Sequence, residues 1–469
     1  MAPDLSRIQQ HFRELEPLLA QFDTAGPRYT SYPTAPQFTD AFTLADWHDA
    51  LGANRQIAGT TRPLSLYTHL PFCETRCNFC GCNTIITSNH GLLNPYLDAL
   101  GREIDLMAAR VDPRRPVVQF HLGGGTPNYL SPAQLEWLLG RYLAHYQFAD
   151  DAEVAIELDP RTLRPEHLAT LHALGFNRYS LGVQDFDPSV QAAINRDQSI
   201  ECTTWTVETI RAYGHHSINL DLIYGLPYQQ AESFADTIDV VLQLRPSRLA
   251  LYSYAHVPWK SPAQRRFGEL PRMEGAEKFA LFLMAYHQFL DAGYVPIGFD
   301  HFALPNDELV RAQESRTLHR NFMGYTTKRG TDMLAHGVSG ISDLGDTYAQ
   351  NLKKLPDYYG AIERGDLPLH RGYGLSRDDM IRRELIIDLT CNFALDIPNF
   401  ERTWGIDFAG YFATELQSLG PFQSQGLVTQ TPEELRIELP GRFFVRNICM
   451  VFDRYLPARE RDRQFSRTL

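Results

Sequence analysis

Seventeen residues, Tyr67 to Asn83 (YTHLPFCETRCNFCGCN), hold four of the seven cysteines of the chain: Cys73, Cys77, Cys80 and Cys82. The spacing C-x3-C-x2-C is that of an iron–sulfur loop. Three thiolates on one loop hold three irons of a [4Fe–4S] cube and leave the fourth iron open to a small ligand. Two other metal chemistries compete. Structural zinc usually takes two separated pairs of ligands, and no second C-x2-C or H-x3-H lies downstream. A ferredoxin-type cluster would use all four thiols, and Cys82 is near enough to join. Disulfides do not suit cysteines this crowded in a chain whose polar N-terminus reads as no secretory signal.

The elements around this loop follow a regular alternation. A strand over Leu64–Leu70 delivers the chain to the loop, and Pro71 ends it by removing a ladder donor. A helix follows near 92–110, then a strand over Val117–Leu122 that runs into Gly123-Gly124-Gly125-Thr126-Pro127. Ser131 caps a helix to about Tyr146. A strand over Glu153–Glu157 precedes Asp159-Pro160 and a helix near 165–174. A strand over Arg178–Val183 precedes Gln184-Asp185 and a helix from about 187. After a helix near 201–214, a strand over Ile218–Ile223 ends at Tyr224-Gly225-Leu226-Pro227, and one over Arg248–Tyr254 ends at Ala255-His256.

Six β–α units predict a parallel sheet closed partly or fully into a barrel. Reacting groups in such folds gather at the carboxyl ends of the strands. The unusual residues here fall at those ends: the cysteines, the triple glycine, Glu157, Gln184, Asp221 and Ala255. One shared site is the expectation.

The flanks are less regular. Arg7 to Phe22 is amphipathic and reads as a helix, followed by a proline-punctuated loop, Gly26 to Pro33. Arg28, Tyr29 and Tyr32 on that loop are able to contact a carboxylate, although a strap packed on the next domain is the simpler reading. Beyond Leu304 the alternation fades into loops and short strands at 319–327 and 337–342. From Ser376 the pattern is helical, with Asp378–Asn392 amphipathic, then a hairpin between Gly426 and Leu439 and a helix from about Gly441. That order is winged-helix-like, without a basic stripe. The expected division is 1–60 as an N-terminal extension, 61–345 as a catalytic barrel and 346–469 as a mainly helical domain.

The chain has 469 residues, 43% hydrophobic and 21% charged, an ordinary globular mix. No apolar run approaches the ~20 residues of a membrane span, so a cytoplasmic protein without a membrane partner is expected. A net charge of −12 gives no footprint for nucleic acid, and it obliges an anionic substrate to find a local basic pocket. An aromatic content of 12% suits a pocket for a bulky ligand, or simply a core.

Cys73-x3-Cys77-x2-Cys80 resembles the radical S-adenosylmethionine (SAM) signature. The resemblance goes further: YTHLPFCETRCNFCGCN, HLGGGTPNYL, IELDP, GFNRYSLGVQDF, NRDQ, INLDLIYGLP, YAHVP, DHFA, LHRNFMGYTT and RNICMVFDRYL are all similar to the oxygen-independent coproporphyrinogen III oxidase family. It runs from the Gly26–Pro33 loop to Phe465-Ser466-Arg467. The fold it implies is α/β: a partial, TIM-like (β/α)6 barrel of the radical SAM type with the two flanking regions described.

The resemblance implies a [4Fe–4S] cluster on Cys73, Cys77 and Cys80 and two molecules of SAM. By resemblance, Tyr67, Phe79, Gly124, Glu157 and Ile341 join the three cysteines in serving the cluster and its SAM. Gly125, Thr126, Gln184, Arg196, Asp221 and Ala255 match positions that hold a second SAM. Tyr67 and Glu157 are the catalytic residues expected. Phe79 is placed to pack on adenine, the glycines to admit backbone N–H groups to the methionine carboxylate, and Arg196 to grip a carboxylate in bidentate fashion. Cys82 matches a family cysteine that is not a ligand.

The family reaction is oxidative decarboxylation of two propionates of coproporphyrinogen III to the vinyls of protoporphyrinogen IX. It implies a flavodoxin- or ferredoxin-like electron donor, an electron acceptor and a monomer. Arg28, His69, His301 and Arg320 are the candidate cations for the tetra-anionic substrate, each equally an ordinary structural group. A haem chaperone or haem-modifying paralogue is the nearest rival, but Cys80-Gly81-Cys82-Asn83 and the Gly26–Pro33 loop favour the oxidase. An iron–sulfur regulator that binds DNA through the C-terminal region is disfavoured by the acidic balance.

Overall fold

The computed structural model describes residues 5–53, 56–57, 60–456 and 465–468. Its centre is one twelve-stranded sheet. Six parallel strands make up half of it: β1 (Leu64–Leu70), β2 (Val117–Gly124), β3 (Phe148–Leu158), β4 (Arg178–Gln184), β5 (Ile218–Tyr224) and β6 (Arg248–Ser253). They lie side by side in chain order, as successive β–α units with a constant crossover hand require.

The connecting helices include α1 (Leu93–Ala108), α2 (Pro132–Leu143), α3 (Pro165–Ala173), α4 (Pro188–Ile194), α5 (Ile200–Ala212), α6 (Ala231–Leu244) and, after β6, α7 (Gly275–Asp291). In α1 the buried positions Leu93, Leu97, Leu100, Ile104 and Met107 recur at three- and four-residue steps, one apolar stripe laid on the sheet. The Ser131 cap forms as expected: its hydroxyl accepts from the Gln134 amide, and the Gln134 side chain accepts from the Ser131 amide at 2.9 Å.

The sheet does not end with the six expected strands. A seventh parallel strand, Asp332–His336, pairs with the other side of β1, from Asp332 opposite Leu64 to His336 opposite Thr68. It is buried along its whole length, so it has no alternation to read in sequence. Antiparallel strands Ile341–Asp343, Thr347–Asn351 and Leu369–Gly374 extend the sheet from it. At the opposite edge His301–Ala303 pairs antiparallel with β6, and Val295–Ile297 covers it. The two ends of the sheet do not meet, so the barrel is partial. The expected break at 345/346 falls between two hydrogen-bonded strands of this sheet.

The N-terminal helix, Leu5–Phe22, is joined to α7 by Arg7, whose Nη2 lies 3.0 Å from Asp291 Oδ1. The loop behind it is strapped to the C-terminal region. The Arg446 guanidinium donates to the carbonyls of Pro27 at 2.9 Å and Thr468 at 2.8 Å, and Tyr29 OH donates to Asp453 at 3.0 Å. The C-terminal region holds helix Arg377–Asn392 and a hairpin, Val428–Gln430 with Glu434–Ile437, joined by an unexpected third strand, Ala394–Asp396. No helix among the described residues is long and apolar enough to cross a membrane.

Candidate active site

The cysteine loop is pinned from two sides. The Asn78 amide donates to Ile194 O at 2.9 Å and its side chain to Ala193 O at 2.8 Å, tying the loop to the end of α4. Ser261 Oγ donates to Cys80 O at 3.0 Å and Gln264 Nε2 to Phe79 O at 3.1 Å, from the segment after β6. Between the loop and the strand ends opens a cleft. Cys73, Cys77, Cys80, Phe79, Gly124, Gly125, Thr126, Glu157, Gln184, Arg196 and Asp221 all line it. Five strand ends thus supply one site, as the βα pattern predicted.

Each of the three sulfurs expected to hold the cluster has a donor of its own. Thr126 Oγ1 donates to Cys73 Sγ at 3.2 Å. Arg196 Nη1 and Arg161 Nη2 lie 3.6 and 3.8 Å from Cys77 Sγ. The Cys82 amide donates to Cys80 Sγ at 3.4 Å. Burial pushes the Cys73 thiol up to about 11 against the Thr126 hydrogen bond, whereas donation from Cys82 draws Cys80 down to about 7. Donors at all three sulfurs suit thiolates holding a cluster, whose potential such bonds tune. Among the described residues, no three His, Cys, Asp or Glu side chains converge on a single ion.

The acidic side is set by β3. Glu157 accepts from His121 Nε2 at 3.2 Å and from the Gly124 amide at 3.1 Å. Burial works against its ionisation, but those two donors hold the carboxyl below its ordinary value. Asp159, two residues on, lies 2.7 Å from Arg161 Nη2 and 3.3 Å from Arg196 Nη1. Asp221 is different: burial raises it to about 6 despite a 2.8 Å hydrogen bond from Asn219.

The last residue of β4 is bent into the cleft. Gln184 has φ +70°, and the β4–β5 register shifts between Gly182 and Gln184. A bulge of this kind re-aims a side chain at the cost of local strain. Arg196 Nη2 donates to Gly182 O at 2.7 Å, and its buried Nε has no partner. That unspent donor fits a guanidinium awaiting a carboxylate.

The triple glycine answers to crowding. A Cβ at Gly123 would lie 2.8 Å from Glu157 Oε1, at Gly124 2.6 Å from the His69 ring, and at Gly125 2.7 Å from the Pro71 carbonyl carbon. The Gly124 amide is given to Glu157 and the Gly125 amide to Leu70 O at 2.8 Å.

Three expected residues stand outside the cleft. Tyr67, on β1, lies beneath it, with its hydroxyl 3.1 Å from His69 Nδ1 and its ring stacked on His121. Ala255 lines a neighbouring pocket, and Ile341 sits on the antiparallel extension. Among the four candidate cations, Arg320 and His301 are both paired with Asp300, at 3.4 and 2.7 Å. Burial holds His69 below its ordinary value, with its Nε2 2.9 Å from Asn83 O. Arg28 donates to Ser253 O at 2.9 Å. Asp159, Arg161 and His121 were not singled out from sequence. Their only signal was position: Glu157, Asp159 and Arg161 succeed one another at two-residue steps.

Comparison with known proteins agrees with this geometry. Residues 67–241 match the Radical SAM superfamily, and residues 375–444 match the HemN C-terminal domain. The oxygen-independent coproporphyrinogen III oxidase of Pseudomonas aeruginosa is 45% identical, over 96% of this chain and 98% of its own. The Escherichia coli protein of that name is 44% identical with the same coverage. This chain belongs to the oxygen-independent coproporphyrinogen III oxidase family. A solved structure, described as coproporphyrinogen III oxidase (HemN) from Escherichia coli, a radical SAM enzyme, superposes with a TM-score of 0.88, covering 92% of this chain and 98% of that one. The superfamily match begins at Tyr67 and runs through β5 into α6, the stretch that builds most of the cleft.

Proposed function

We propose that this member of the family converts coproporphyrinogen III to protoporphyrinogen IX, turning two propionates into vinyls without oxygen in haem and porphyrin biosynthesis. The observation that carries this reading is the convergence of three loop thiols with Glu157, Gln184, Arg196 and Asp221 in one cleft. In this reading Cys73, Cys77 and Cys80 hold the [4Fe–4S] cluster. The cluster and two molecules of SAM, when bound, supply the one-electron chemistry that removes a hydrogen atom from unactivated carbon.

The chain's own residues bind and orient. Tyr67, Phe79, Gly124, Glu157 and Ile341 are assigned to the SAM at the cluster, with Tyr67 and Glu157 nearest the chemistry. Gly125, Thr126, Gln184, Arg196, Asp221 and Ala255 are assigned to the second SAM. Arg196 takes a methionine carboxylate with the donor it leaves unspent, and Asp159 holds the guanidinium in place. Glu157, kept ionised by His121 and the Gly124 amide, accepts from an ammonium or ribose hydroxyl. Thr126 and Cys82 hold electron density on the sulfurs they donate to.

Each propionate loses one hydrogen atom, one electron and CO2 to become a vinyl. The reaction therefore needs a reductant and, separately, an electron acceptor. We assign the first to a flavodoxin- or ferredoxin-like protein. The protein acts as a cytoplasmic monomer with no nucleic-acid or membrane partner. Residues 1–60 serve as a strap, the catalytic unit runs from 61 past the expected break at 345 to Gly374, where its sheet ends, and the rest of the chain closes it.

Anaerobic turnover of the iron-loaded protein with SAM, a reductant and coproporphyrinogen III tests this. Protoporphyrinogen IX is the expected product. Formation of 5′-deoxyadenosine without protoporphyrinogen would reject the oxidase reading in favour of a paralogous haem-handling role.

A further inference from the structure

Two motifs stand at adjacent strand ends outside the cysteine-lined cleft, and of their residues only Ala255 is assigned to the second SAM. Tyr224-Gly225-Leu226-Pro227 follows β5 and Tyr254-Ala255-His256-Val257-Pro258 follows β6, and these two strands are paired in parallel. A second pocket opens there, walled by Tyr254, Ala255, His256 and Trp259, with Arg272 and Glu274 also on its wall. It adjoins the cleft, because Trp259 lines the pocket while the next residues, Lys260 and Ser261, line the cleft.

Lys278 enters this pocket from α7. Its Nζ donates to Tyr254 O at 3.0 Å, and its stem crosses the end of β5 over Gly225. A Cβ at 225 would sit 2.9 Å from Lys278 Cδ, so this glycine is what leaves room for the lysine. Arg28 is anchored to the adjacent carbonyl, Ser253 O. Among the described residues, neither cation has a carboxylate within ion-pair distance. Burial, and next the charge of Arg28, draw Lys278 down to about 8. Lys278 and Arg28 repel one another; Asp23 and Glu274, the latter on the pocket wall, offset that only in part, and a carboxylate entering beside the two cations relieves the rest. Arg446 closes the strap over this side and is spent on backbone carbonyls, so it is not available to a ligand.

We propose that this pocket is a carboxylate subsite for the tetrapyrrole, in which Lys278 binds a propionate and Trp259 packs on the pyrrole that bears it. The proposal rests on the oxidase reading. The ligand chemistry is an alkyl carboxylate beside an apolar ring. The methionine end of SAM also carries a carboxylate, so the test must separate the two sources.

Lys278→Met keeps the stem and removes the charge. In anaerobic turnover it is expected to raise the KM for coproporphyrinogen III about 10-fold, the scale of one charge-assisted hydrogen bond, with the KM for SAM unmoved and kcat little changed. Trp259 is 52% exposed, so Trp259→Ala does not disturb folding, and it is expected to raise the same KM. It carries the test alone if Lys278→Met fails to fold. Wild-type constants in the variants, or a rise in the KM for SAM instead, would overturn the subsite. A wild type without turnover defeats the oxidase reading, not this one. Equilibrium titration of wild type and Lys278→Met with coproporphyrinogen III then decides the subsite, and equal affinities overturn it.

Discussion

Arg196 and Asp159 form an ion pair inside the cleft wall, Nη1 to Oδ2 at 3.3 Å, and the same Nη1 lies 3.6 Å from Cys77 Sγ. One guanidinium therefore joins the cysteine loop to the end of β3. Its position depends on a carboxylate that lines the same cleft.

Removing that carboxylate should cost stability as well as activity. Asp159→Asn leaves Arg161 and Arg196 without their counter-charge, and breaking a buried pair of this kind costs about 3 kcal/mol. Denaturant unfolding of the two proteins measures it. A difference below about 1 kcal/mol would mean that the two arginines find other partners.

The four thiols should divide unequally. Cys73→Ser, Cys77→Ser and Cys80→Ser are each expected to abolish the SAM-cleaving cluster, whereas Cys82→Ser keeps it, because Cys82 gives Cys80 a backbone N–H that serine retains. Iron content and visible absorption after anaerobic reconstitution check this. Loss of iron in Cys82→Ser would make Cys82 a ligand.

The Thr126 hydroxyl should tune the cluster. Thr126→Val removes the donor to Cys73 Sγ and keeps the volume. Hydrogen bonds to cluster sulfurs favour the reduced, more negative state. The variant should keep its iron and titrate at a more negative midpoint potential in a redox titration. An unchanged potential would remove Thr126 from the electrostatics of the site.

Away from the cleft, Glu103 should govern a pH dependence of stability. It is fully buried and accepts from Tyr358 OH at 2.6 Å, Asn351 Nδ2 at 2.6 Å and the Gly337 amide at 2.7 Å. Burial raises it from 4.5 to about 7 in spite of these donors. Between those pH values the folded chain keeps a proton that the unfolded chain has released. Its contribution is therefore full below pH ~4.5 and is lost as pH rises through ~7, on the order of 3 kcal/mol. Unfolding of wild type and Glu103→Gln across that range should show stability falling more steeply with pH in wild type, and equal slopes would remove Glu103 from the pH dependence.

The legible part of this protein is the part where neighbours in sequence do the work. The strands β1 to β6 and their helices were readable because apolar runs end in turn residues and Ser131 caps its own helix. The cysteines, Glu157, Gln184 and Asp221 were readable as strand-end residues. Asp332–His336 was not, because burial on both faces erases alternation. Nor was Asp159 as a partner of Arg196, since 37 residues separate them and only the fold brings them together. Ile341 entered through family resemblance alone and Ala255 as a strand-end residue too, and the cleft includes neither. Lys278 gave no signal, because its role depends on a glycine at a distant strand end.

The central claim is that this one cleft removes hydrogen from the propionate side chain. Anaerobic turnover of coproporphyrinogen III deuterated at the propionate carbon next to the pyrrole tests it most directly. The account predicts deuterium in the 5′-deoxyadenosine formed together with protoporphyrinogen IX. Product formed with unlabelled 5′-deoxyadenosine would contradict it.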